Sequence, residues 1–76
     1  MKPETLIFIA TSNPNFPPAF IAWLRDNYDT WVEFETTIIR AWNAGEKPRL
    51  PAHEYTPYLA NLFLLVHPYH KDLLTR

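Results

Sequence analysis

Apolar and polar positions along this chain recur with helical rather than strand periodicity. Between Thr30 and Gly45, the residues Trp31, Phe34, Ile38, Ala41 and Trp42 fall on the i, i+3, i+4, i+7 positions of one helix face. Val32 and Ile39 widen that stripe, and Glu33, Thr37 and Arg40 lie opposite it. Asp29 or Thr30 has the side chain of an N-cap. Gly45, the only glycine, stands where a left-handed C-cap is needed. A helix over about 30–44 is predicted, with Trp31, Phe34, Ile38 and Trp42 in the core.

Upstream, Pro17-Pro18 hold φ near its helical value and open a helix reaching about Asp26. Its Phe20, Trp23 and Leu24 share a face and are expected in the core. Downstream, Thr56 is expected as cap and Pro57 as first residue of a third helix. Tyr58 to His67 is apolar on nearly every face, so this helix should be central. Pro68 interrupts it, and His70 to Thr75 would add a short helix or turn.

The run Leu6-Ile7-Phe8-Ile9-Ala10 has the composition of a strand, but no second strand-like run exists to pair with it. Pro3 and Glu4 fit a first helical turn, so a short helix near residues 3–11 is favoured. The alternative is a strand paired with a second chain. Ser12 to Phe16 and Glu46 to Tyr55 carry the turn chemistry of loops. The expected fold is all-α: a compact bundle of three main helices plus short flanking ones, in one domain over residues 1–76.

Composition sharpens this picture at three points. Seventy-six residues bury only about 60% of their unfolded surface, so such a chain is of marginal stability or completes its core with a partner. The absence of cysteine removes disulfides, thiolate metal sites and a Cys nucleophile. The uncharged apolar runs, Leu62 to Val66 among them, are far too short to span a membrane, and no secretory signal pattern is evident at the start.

Candidate chemistry is sparse. His67, His70 and Asp72 lie close together, with His53 and Glu54 able to approach, but their spacing is not that of a helical metal motif. His67 reads instead as a group meeting the last carbonyls of its helix. Glu35 would project between Trp31, Ile39 and Trp42, where desolvation raises a carboxyl pKa. The competing reading is a rim residue paired with a cation. Ser12, the only serine, has no base at a fixed spacing. No catalytic residue, metal or cofactor is expected, and the chain reads as a non-enzyme.

Charges and aromatics say more. Seven Lys+Arg and eight Asp+Glu give a net charge of -1, with no basic stripe suited to nucleic acid. Lys47 and Arg49, in one loop, are the only internal basic pair with that potential. Asp26, Asp29 and Glu33 share one side if the turn between their helices keeps them nearly continuous. Such a face meets a basic partner or mimics phosphates, and otherwise is simply solvated. Twelve aromatics exceed one small core. Phe16, Tyr28, Tyr55, Tyr58 and Tyr69 sit at helix ends and loops, where aromatics either anchor a partner or staple a loop to the bundle.

Two separated blocks carry a resemblance. The first is Asn27-Tyr28-Asp29-Thr30-Trp31-Val32-Glu33-Phe34-Glu35, with Ala44-Gly45 closing the helix. The second is Tyr55-Thr56-Pro57-Tyr58-Leu59-Ala60, then Phe63, His67-Pro68 and the final Arg76. Together, over roughly residues 20–76, they resemble short phage- and prophage-encoded helical proteins. Where that group has an Arg-Trp segment and a hairpin between the blocks, this chain has only Glu46 to His53. The resemblance implies a viral source and location in the host cytoplasm, and carries over no catalytic residue. The function expected is a protein-interaction module that binds and inhibits a host protein, possible defence or transcription components among them. Its partner-binding residues would be Asp26, Tyr28, Asp29, Glu33, Tyr55, Tyr58 and Tyr69. A homodimer fits the small size. The alternative is a small nucleic-acid-binding accessory protein using Lys47 and Arg49.

Overall fold

A computed structural model describes residues 2–68. The order is α1 (Pro3–Thr11), α2 (Pro18–Asp26), α3 (Tyr28–Ala44) and α4 (Thr56–Val66). There is no strand among the described residues, so the apolar run at Leu6 to Ala10 is helical. The fold is a small all-α bundle. The segment His70 to Thr75 lies outside the described residues.

Each helix begins as its prolines and acids dictate, but the caps differ from the sequence expectation. α1 starts on Pro3 with Glu4 in its first turn, and Ser12 closes it by donating both its backbone N–H and its hydroxyl to the Phe8 carbonyl. Asn27, rather than Asp29 or Thr30, is the N-cap of α3. Asn27 is also the C-cap of α2, and its side-chain amide donates back to the Trp23 carbonyl at 2.8 Å. One residue therefore joins two helices, which leaves Asp29 inside the first turn, where its charge meets the helix dipole. Tyr55, not Thr56, occupies the N-cap position of α4, with Thr56 and Pro57 within the first turn. The Thr56 hydroxyl instead donates to the Pro51 carbonyl at 2.6 Å and accepts the His53 backbone N–H at 3.1 Å, tying down the preceding loop. Gly45 ends α3 as expected, at φ 69°. There its N–H and that of Glu46 reach the Trp42 and Ala41 carbonyls.

One apolar core runs through all four helices. Leu6 and Ala10 come from α1, Phe20 and Leu24 from α2, Trp31, Phe34 and Ile38 from α3, and Leu59, Leu62 and Phe63 from α4, all buried. Phe16, expected among the outlying loop aromatics, is also buried: the Asn13 to Phe16 turn folds its ring onto Phe20 at 5.4 Å. Trp42 is the opposite correction. It lies on the predicted stripe yet is 43% exposed, because it sits in the last turn of α3, beyond the buried core residues. Trp23, also expected in the core, is half-buried at its edge.

Candidate interaction surface

The charged residues singled out from the sequence lie on the corner between α2 and α3. Asp26 ends α2, Asp29 and Glu33 are one turn apart on α3, and all three are exposed. Tyr28, between them in sequence, is half-buried. It forms one wall of an open groove of about 530 Å³ with Arg25 and Leu24, facing Glu4, Ile7 and Phe8 of α1. The remaining tyrosines are elsewhere. Tyr55 and Tyr58 are half-buried in an aromatic corner, their rings 5.6 and 5.3 Å from Phe20, with Trp23 5.1 Å from Tyr55. They staple the loop before α4 to α2, and His53 joins them by lying 5.0 Å from Trp23. Both keep part of their surface open while they pack on Phe20. Tyr69 lies outside the described residues.

The flank of the buried stripe of α3 holds Trp42, which the sequence reading assigned to the core, with Val32 and Ile39, which it placed at the stripe's edge. Tyr28, Val32, Glu35, Ile39 and Trp42 follow one another at alternating intervals of four and three, a second seam beside the buried one. Val32 and Trp42 are exposed, and Tyr28, Glu35 and Ile39 half-buried. The signal was present in the sequence, since both seams obey helical spacing. What hid it is that a wide apolar stripe looks the same whether one flank or both are covered.

Glu35 sits in the middle of that seam. Its Oε2 lies 2.5 Å from Nε2 of His67, with both side chains about three-quarters buried. The imidazole also stacks on Phe63, centroids 4.7 Å apart. Glu35 is therefore a rim carboxylate paired with an imidazole. His67 does close α4, but through its backbone N–H to Phe63, while its ring reaches across to α3. Among the described residues no group of three or more His, Asp or Glu is placed to hold a metal ion, and no helix is long and apolar enough to cross a membrane. His70 and Asp72 lie outside the described residues.

Lys47 and Arg49 line a shallow notch against α3 together with Arg40, a residue the sequence reading had only as solvated surface; Glu46 lines it too. No family model, curated protein or solved structure matches the chain.

Proposed function

We propose that this protein is a phage-encoded, non-enzymatic interaction module that binds and inhibits a host protein in the host cytoplasm. The observation that carries the reading is Trp42, 43% exposed at the C-terminal end of the second seam of α3. Tryptophan is the residue type most enriched among binding hot spots, because one large rigid ring expels much water at little entropic cost. Val32 and Ile39 extend the apolar strip toward the corner, and Asp29 and Glu33 lie beside it on the same helix. The arrangement suits a partner with an apolar centre and a basic rim, whose charges set the approach rate while the rings hold the complex.

The test is capture from host lysate with wild-type protein, Trp42→Ala, and the Asp29→Lys, Glu33→Lys double variant. A specific partner retained by wild type, lost with Trp42→Ala and slowed in association by the charge reversal supports the reading. Equal capture by all three overturns it. A second reading, nucleic-acid binding, is favoured by one observation: Arg40 joins Lys47 and Arg49 around one notch. Three phosphate contacts would give a salt slope of only about 3. Sub-micromolar binding of duplex or single-stranded DNA or RNA at about 150 mM salt, removed by Arg40→Ala and Arg49→Ala, would replace the first reading with this one.

A further inference from the structure

The groove between α1 and the α2–α3 corner is separate from the outward end of α3, and its composition points to a specific occupant. Phe8 is the most exposed large hydrophobic residue among the described ones, at 73%, and it stands on the groove's own wall. Leu6 and Ala10 of the same helix are fully buried, so α1 is firmly seated and Phe8 is held out by the helix rather than by fraying. The floor and opposite wall are apolar, from Ile7, Leu24 and Tyr28. Two charges complete the lining: Glu4 on the α1 side and Arg25 on the α2 side. They make no ion pair with each other; the ion pair among the described residues is Glu35–His67.

A groove carrying its own knob and one charge of each sign on opposing walls is complementary to itself. In a two-fold interface, residue i of one copy meets residue j of the other, and j meets i. We propose that this groove is the interface of a homodimer, each copy seating Phe8 in the groove of the other and pairing Glu4 with the other copy's Arg25. Each charge thus gains the opposite partner that no other described residue gives it, and the exposed Phe8 ring is covered. A chain this small has a further reason to associate, since its own core is limited.

Glu4 also suits the N-terminus of α1 and Arg25 the last turn of α2. Loss of association alone would therefore not separate a contact between chains from an effect within one, so the test is rescue between chains. Sedimentation velocity on the full chain from about 1 to 300 µM should show a monomer–dimer equilibrium, the range expected for a modest interface. Phe8→Ser, at an exposed site that leaves the core intact, should weaken the dimer at least about 10-fold. Glu4→Arg and Arg25→Glu should each weaken it by about 10-fold, because each sets like charges opposite at both contacts. An equimolar mixture of these two variants sets opposite charges at both contacts and should restore association to within about 3-fold of wild type. Far-UV circular dichroism checks that each variant keeps its helices. Monomeric wild-type protein throughout, unchanged dimerisation of Phe8→Ser, or folded charge variants that do not recover on mixing would each overturn the proposal.

Discussion

Trp31 and Trp42 project from the same side of α3, three turns apart, and have opposite fates. Trp31 is fully buried, with its ring 6.5 Å from Phe34. Trp42 is 43% exposed in the helix's last turn. The N-terminal half of α3 packs into the core shared by all four helices, whereas the C-terminal turn carries no fully buried residue. Helical phase decides which way a side chain points, but burial also needs an opposing element at that height. The buried stripe from Trp31 to Ile38 thus holds the fold, while the helix's last turn leaves its aromatic at the surface.

The largest effect that would break this division is at Trp31. Trp31→Ala should cost roughly 3–5 kcal/mol, since it removes the largest fully buried side chain and leaves a cavity. In a domain of this size that can abolish folding, and a thermal midpoint close to wild type would show that the N-terminal half is not the structural one. Trp42→Ala should cost much less, about 1.5 kcal/mol, because much of that ring is already in water. Equal destabilisation by the two substitutions in denaturant titrations would erase the contrast.

Smaller effects sharpen it. Gly45 ends the helix at φ 69°, and a Cβ there meets nothing within 4 Å. Gly45→Ala should therefore cost about 1 kcal/mol, from backbone conformation alone. A much larger loss in chemical denaturation would mean that the exposed end of α3 is more tightly packed than its surface suggests. The smallest effect belongs to the pair joining the two halves' neighbours, Glu35 on α3 and His67 at the end of α4. A double-mutant cycle with Glu35→Gln and His67→Gln should give a coupling of about 0.5 kcal/mol near pH 6, in the range of partly exposed ion pairs. A coupling indistinguishable from zero would leave Phe63 stacking as what positions the imidazole.

Much of the fold was legible because local signals agree with tertiary ones. Pro3, Pro17-Pro18 and Pro57 mark helix starts, and Gly45 a left-handed stop. The caps were less legible. Asn27 and Thr56 form longer-range hydrogen bonds, to Trp23 and Pro51, that short capping patterns do not encode. Phe16 was missed because a loop residue carries no periodicity, and only the fold reveals that its turn returns it to Phe20. The acidic corner was readable residue by residue. The Phe8 groove was not, because α1 and α2 meet only in three dimensions and the spacing of Glu4, Phe8 and Arg25 has no period.

The order of packing carries a consequence for how the chain reaches this state. The helices that touch most are sequence neighbours: α1 on α2, α2 on α3, and α3 on α4. Most native contacts therefore close short loops, and the longest connection is the segment between Ala44 and Thr56. Topologies of this kind fold in microseconds to milliseconds, since little loop entropy is lost before contacts repay it. The helical hairpin of α1 and α2, joined by Ser12 to Pro17, can assemble before α4 has left the ribosome. The core then waits for Leu59, Leu62 and Phe63 to arrive, which makes docking of α4 a natural late step of folding.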